Sequence, residues 1–324
     1  MKRICCIFLI FILLFTACGK KEVVPEEPIV PEEPTIIQTE NSILTAQRAF
    51  VYDCTAERYI YLQGDLKERV YPASITKLFT AYVALTHLDA DTYITVGDEL
   101  DLVESGASVA GLKKGNTLTV EMLIKCLLLP SGGDAAYTLA INAGRKIADD
   151  YTLSPKDALL VFVNEMNSVA QTLELENTHF VTVDGFHDDD HYISLECYIK
   201  IAELALNNAV IADTVSQHRA LIKFADGNSI TVYNVNLLVN PNSEYYVENA
   251  CGLKSGRTSA AGCNLLSAYE YGERRIVVGV FGCPEVSDRL EDSVLVIETY
   301  NSLCRSFFEA ITKKAESVDS ASFI

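Results

Sequence analysis

Residues 262–282 read GCNLLSAYEYGERRIVVGVFG. Two apolar runs rich in β-branched and aromatic residues, Gly262 to Tyr271 and Arg274 to Gly282, flank the turn Tyr271-Gly272-Glu273, so the stretch predicts a β-hairpin. Upstream, Ser229 to Val239 and Tyr245 to Lys254 carry the same strand signal. At the other end of the chain, Gln47 to Asp53 and Arg58 to Gln63 predict a second strand pair around Thr55-Ala56-Glu57. The residues between these ends repeat their apolar positions at three- and four-residue intervals. They predict helices over Ile75 to Leu88, Val120 to Leu129, Ala135 to Ala148, Pro155 to Leu173 and Leu195 to Leu206, with Asp134 capping the third. Strands at both ends with helices between predict an α+β fold, its antiparallel sheet shared by the N- and C-terminal strands. A last apolar helix, Val286 to Ile311, is expected to pack back on that sheet.

The chain has 324 residues, 49% of them apolar, and a formal charge of −18. Nucleic-acid affinity comes mainly from Lys and Arg displacing counterions, so this charge argues against a nucleic-acid partner. Lys2 and Arg3 precede an apolar run, Ile4 to Phe15, too short to span a bilayer comfortably and laid out as a secretory signal over 1–17. Phe15-Thr16-Ala17-Cys18-Gly19 resembles a bacterial lipoprotein signal, which makes Cys18 the expected lipid-bearing residue. An acidic, proline-rich duplication follows, Val24-Pro25-Glu26-Glu27-Pro28 and Val30-Pro31-Glu32-Glu33-Pro34, so residues 18–42 are expected to form a solvated tether. One globular domain is expected over 43–312, with a polar tail over 313–324. The protein is then extracytoplasmic and lipid-anchored to the cell membrane. Outside the signal region the cysteines form no Cys-x-x-Cys pair, and most sit in apolar runs as small buried hydrophobes.

Ser74-Ile75-Thr76-Lys77 sits at the start of the first predicted helix, and its spacing puts hydroxyl and amine on one face. A serine needs a neighbour to take its proton, and a desolvated lysine with a lowered pKa can do so. The helix N-terminus adds positive potential beside a developing oxyanion. Alone, a Ser-x-x-Lys is a weak signal, since a capping serine and a solvated lysine read the same. Its company strengthens it: Pro130-Ser131-Gly132-Gly133 forms a turn between two helices, and Lys254-Ser255-Gly256 lies on a late strand.

With these motifs the chain resembles the D-alanyl-D-alanine carboxypeptidases, the low-molecular-weight penicillin-binding proteins. Tyr71-Pro72-Ala73-Ser74-Ile75-Thr76-Lys77-Leu78 is similar to that family's Pro-Ala-Ser-x-Thr-Lys-Leu, and Leu128 to Ala135 to its Leu-Ile-x-Ser-Gly-Asn-Asp-Ala. Asn177-Thr178-His179-Phe180 with Asp184-Gly185 and His187-Asp188 resembles a further family segment, and Lys254-Ser255-Gly256 with Thr258 and Ala261-Gly262 resembles another. The resemblance implies a β-lactamase/DD-peptidase-like fold and no metal or organic cofactor. It implies Ser74 as nucleophile, Lys77 as base and Ser131 as proton relay helped by Lys254. Lys254 and Ser255 would hold the substrate's terminal carboxylate, and the backbone N–H groups of Ser74 and Arg257, beside Gly256, would form the oxyanion hole. The implied substrates are peptidoglycan stem peptides, with β-lactam antibiotics as acylating inhibitors.

Two departures matter. The middle motif's Asn is Gly133 here, and Ser255 replaces a Thr while keeping the hydroxyl. Three other readings stand beside this one. A weakened penicillin- or peptidoglycan-binding lipoprotein would follow from Gly133. A serine β-lactamase of class A would need Glu-x-x-Leu-Asn, a spacing that Leu173-Glu174-Leu175-Glu176-Asn177 lacks. A metal site at His187-Asp188-Asp189-Asp190-His191 competes with a plain polar loop at a cleft mouth.

Overall fold

The computed structural model describes residues 37–38 and 43–302. Strands β1 (Ile37–Gln38), β2 (Arg48–Asp53) and β3 (Arg58–Gln63) open the fold, and β4 (Arg69–Val70) leads to helix α1 (Thr76–His87) through a 3₁₀ turn at Ala73–Ile75. Then come β5 (Tyr93–Thr95), β6 (Thr117–Thr119), α2 (Val120–Leu128), α3 (Gly133–Ile147), α4 (Pro155–Thr172), β7 (Ile193–Ser194), α5 (Cys197–Asn207) and α6 (Ala209–Ser216). The chain continues through β8 (Arg219–Lys223), β9 (Ser229–Tyr233), β10 (Ala250–Thr258), β11 (Gly262–Tyr271) and β12 (Arg274–Cys283), and α7 spans residues 286–302. The main sheet has the order β1-β3-β2-β12-β11-β10, so the two ends of the chain do share it. All its pairings are antiparallel except β1 with β3.

Alternation along the strands explains why both faces are covered. Phe50, Leu266, Val277 and Phe281 point into the helical core of α1 to α6, while Ala49, Val51, Leu265, Val278 and Val280 join the cluster containing Ile297 and Tyr300 of α7. A strand buried on both faces reads as a continuous apolar run, which is why β12 carries Ile276-Val277-Val278. Helix α1 runs through the helical core, with Leu78, Phe79, Ala81, Val83 and Ala84 all buried. Its side chains are apolar around most of the circumference, and such a helix belongs in the interior. Lys77 is carried inside with them.

The structure moves several expected boundaries. Ser229 to Val239 is not one strand: β9 ends at Tyr233, because the Asn234 side-chain oxygen accepts from Asn236 N–H (2.9 Å) and Asn236 in turn accepts from Leu238 N–H (3.2 Å). Such side-chain turns compete with ladder pairing. The strand expected over Tyr245 to Lys254 begins only at Ala250, since Asn240 and Ser243 build turns before it. Strand β8 has no counterpart in the sequence reading, being short and alternating between exposed and buried residues. Ile37–Gln38, inside the segment read as a solvated tether, pairs in parallel with β3 and covers an otherwise open edge. The signal, Cys18, the tail and the part of the last helix beyond residue 302 lie outside the described residues. Cys126, Cys197, Cys263 and Cys283 are buried free thiols.

Candidate active site

Ser74 lies in the 3₁₀ turn that starts α1, and Lys77 follows one turn later, so the helix itself sets their spacing. Lys77 Nζ lies 2.9 Å from Ser74 Oγ and donates to the Asp184 carbonyl at 2.7 Å. Lys77 is only 2% exposed. Burial pushes its ammonium below the ordinary lysine range, against the opposing charges of Asp184 and Asp134. A buried amine held against a hydroxyl is the arrangement a proton acceptor requires.

The turn that carries Ser74 is clamped by backbone from two sides. Ala73 has φ +49°, a left-handed conformation that costs a side-chain-bearing residue about 1 kcal/mol. The clamp that holds it has no room for extra atoms. A Cβ on Gly185 would stand 1.8 Å from Ala73 O, and one on Gly256 would stand 2.6 Å from Pro72 O and 2.9 Å from Ser74 N. Strand β10 therefore reaches the N-terminus of α1 only because residue 256 has no side chain. Arg289 of α7 holds that strand from behind, donating from Nη1 to Gly256 O at 3.2 Å.

His191 fixes the other side of the turn. Its Nε2 is 2.9 Å from Thr76 Oγ1, which donates to Ala73 O (2.8 Å), while its Nδ1 accepts from Val181 N–H (3.0 Å) and Thr182 N–H (3.1 Å). Burial drives its pKa down to about 3, so the ring is neutral, with its proton on Nε2. Both ring nitrogens are thus engaged inside the protein. His187 instead lines the cleft, 3.4 Å from Asp189 and edge-on to Tyr71. The two histidines do not converge on one point. Among the described residues no group of three or more His, Cys, Asp or Glu could hold a metal ion.

Ser131 sits in the turn between α2 and α3 with φ +65°, its Oγ buried and, among the described residues, without a hydrogen-bond partner. Lys254 is buried and donates to Ser255 O at 3.0 Å; burial pushes its pKa well down, with further help from the charges of Lys77 and Arg289. Ser255 is buried beside it, whereas Arg257 is exposed and lines the cleft. The cleft, about 680 Å³, runs between the 106–108 loop, the 184–187 segment and the end of β10, with Ser74 and Lys77 at its floor.

Asp134 was expected to cap α3, but Gly132 is the cap residue and Asp134 lies in the first turn. Its carboxylate accepts from Ala110, Gly111, Leu112 and Ala135 N–H, each at 2.9 Å, and so anchors the loop that forms one cleft wall. Charged acceptors of this kind make strong hydrogen bonds. Asp134→Ala is expected to lower the unfolding free energy by on the order of 3 kcal/mol, read from urea titration; an unchanged midpoint would show that the wall stands without it. The sequence showed Asp134 only as a helix signal, and it gave no sign of the clamp by Gly185, of Arg289 behind β10, or of His191 as a buried strut.

Fold and site together define the class: a buried lysine held against a serine hydroxyl at the start of α1, on a sheet covered by helices on both faces. The profile of the D-alanyl-D-alanine carboxypeptidase family matches residues 35–285, and the chain belongs to that family. It is 32% identical to D-alanyl-D-alanine carboxypeptidase DacD of Escherichia coli over 245 residues, which is 72% of this chain and 58% of that protein. It is 30% identical to the D-alanyl-D-alanine carboxypeptidase of Streptomyces sp. strain K15, over 69% of this chain and 76% of that one. The crystal structure of the Streptomyces K15 DD-transpeptidase is similar with a TM-score of 0.71 and 25% identity, covering 84% of this chain and 100% of that one. The chain spans between half and two thirds of the length of the Escherichia coli carboxypeptidases it matches, 58% of DacD, 50% of DacA and 65% of DacC.

Proposed function

We propose that the protein is a serine-type D-Ala-D-Ala carboxypeptidase that removes the terminal D-alanine from peptidoglycan stem pentapeptides. The observation that carries this reading is the buried Lys77 amine 2.9 Å from Ser74 Oγ, in a cleft open to a peptide. Ser74 Oγ attacks the carbonyl between the two terminal D-alanines as Lys77 takes its proton. The backbone N–H groups of Ser74 and Arg257 receive the oxyanion, the site Gly256 keeps close. Ser131, whose hydroxyl has no partner among the described residues, passes a proton to the leaving D-alanine amine, helped by Lys254. The amide C–N bond breaks and an ester to Ser74 remains. Water then adds to that ester and frees the shortened stem and the serine.

The substrate's terminal carboxylate is held near Lys254 and Ser255. Arg257 supports that end of the cleft as its exposed, permanently charged cation. β-Lactams acylate the same serine. Cys18 carries a lipid that tethers the domain outside the cytoplasm through residues 18–42; among the described residues no helix is long and apolar enough to cross a membrane. Gly133 favours a second reading, a binder that is acylated without useful turnover. Labelled penicillin followed by intact mass is expected to give one adduct, lost in Ser74→Ala, and D-alanine release from a pentapeptide separates enzyme from binder. No adduct on the native chain would refute both.

A further inference from the structure

Two buried thiols take no part in the chemistry proposed for Ser74, and the sheet sets them side by side. Cys263, near the start of β11, and Cys283, at the end of β12, are direct cross-strand partners. Cys283 reaches that place through an irregularity: Cys263 pairs with Cys283 but Leu265 pairs with Val280, so β12 carries one residue more than β11 between the two pairs. Gly282, with φ +73°, lies in that bulge. Side chains alternate along a regular strand, so without the extra residue 283 would face away from the side that Val280 occupies. With it, Cys283 joins Val280, Leu265 and Cys263 in the apolar cluster on the α7 side of the sheet.

Directly opposed residues of an antiparallel pair have Cα atoms about 4.5–5.5 Å apart, inside the range of about 4.4–6.8 Å that a disulfide spans. Closing such a bond asks for rotamer changes and leaves the register as it is. The strands also run close at this end, where a Cβ on Gly262 would stand 2.9 Å from Cys283 O and 3.1 Å from Gly282 Cα. The structure holds both cysteines as free thiols, 1% and 0% exposed. Neither has a strong partner: Cys263 Sγ is 3.9 Å from Pro284 O and Cys283 Sγ is 3.8 Å from Asp292 Oδ2, long contacts of a weak S–H donor. Both act electrostatically on one neighbour, the Arg289 guanidinium. Two cysteines facing each other across a ladder is a pairing that packing alone does not require.

We propose that Cys263 and Cys283 are a modification site, joined as a cross-strand disulfide by exchange with an external disulfide, either a small molecule or an oxidoreductase. One cysteine, as thiolate, attacks the external disulfide, forming a mixed disulfide and releasing one thiol. The other gives its proton to solvent, attacks the mixed disulfide and releases the second thiol. Two protein S–H bonds are lost, one S–S bond forms, and the external disulfide is reduced to two thiols. The extracytoplasmic location proposed above is where such an oxidant is met; the peptidase reading is not needed. Burial, with the Asp292 carboxylate beside it, pushes the Cys283 thiol up to about 12. In the closed sheet it is therefore a slow nucleophile, and the bond forms fastest while the hairpin is still open to solvent. Once made, it ties together the two strands behind β10, which carries Lys254 to Arg257.

The test incubates the full chain in a glutathione redox buffer, once folded and once while it refolds from the reduced, denatured state, followed by alkylation and trypsin. Cleavage after Arg257, Arg274, Arg275 and Arg289 places Cys263 in peptide 258–274 and Cys283 in peptide 276–289. The refolded sample is expected to yield these peptides mainly as one linked species that separates on reduction, and the folded sample to yield the same species more slowly. The linked protein should melt about 5 °C above the reduced one, because the bond closes a loop between strands already in register. Cys263→Ala and Cys283→Ala should each remove both the species and the gain in melting temperature. Separately alkylated peptides from both native samples, a dominant link between any other cysteines, or a linked form that melts below the reduced one would overturn the assignment.

Discussion

Lys77→Arg is expected to slow acylation of Ser74 by about three orders of magnitude, within the range for loss of a general base. The substitution keeps a cation on the same helix turn but removes the possibility of a neutral form, because a guanidinium does not lose its proton in proteins. In the native protein the amine is buried, touches Ser74 Oγ and has its pKa lowered chiefly by desolvation. Its neutral, proton-accepting fraction grows as pH rises through that lowered value. Acylation by labelled penicillin should therefore climb with pH along a limb that lies below the ordinary lysine range. Groups near Lys77 set where the limb falls: Asp184 and Asp134 draw it upward, and its charge is felt in turn at Lys254 and His191. Lys77→Arg should lose the limb as well as the rate. A residual rate with the native pH profile would mean that another group takes the proton.

Gly185→Ala should damage both stability and chemistry. The added methyl would lie 1.8 Å from Ala73 O, 2.4 Å from Ala73 C and 2.8 Å from Thr76 Oγ1, and φ is +79° at this residue. Overlap of that size with backbone cannot be relieved by a rotamer change, so the 184–187 segment and the nucleophile turn must separate. Overpacking of this kind costs about 3 kcal/mol, with the left-handed backbone adding to it. Asp184 is the adjacent residue, and its carbonyl holds Lys77. Displacing it by about 1 Å is expected to cost on the order of 100-fold in acylation. Thermal unfolding and the penicillin rate, measured on one preparation, check both halves. A native melting temperature with a native rate would show that the clamp gives way without consequence.

How far the sequence could be read depended on whether a feature was local. Strands β11 and β12 were legible to within a residue because continuous apolar runs and a Gly-containing turn mark them. Helix α2 was equally clear from its period. The region 229–249 was not, since Asn234, Asn236, Asn240 and Ser243 divert backbone donors to their side chains, and an apolar count does not register those bonds. The part played by His191 was hidden for a similar reason: its neighbours His187, Asp188 and Asp189 are polar and read as a loop, and only packing shows that it faces Thr76 while His187 faces the cleft.

The sequence by itself determined that strands from both chain ends would build a sheet around a helical middle, and that Ser74 and Lys77 would share one helix face. Both follow from period and spacing, which are written into neighbouring residues. Tertiary structure alone decided that Lys77 is dry, because desolvation depends on what surrounds a side chain. It also decided that Gly185 and Gly256 bring two distant segments against Ala73 and Ser74. At Gly133 the sequence shows an absence; only the fold shows that Asp184, 51 positions further along, packs 3.2 Å from where a Cβ at 133 would lie.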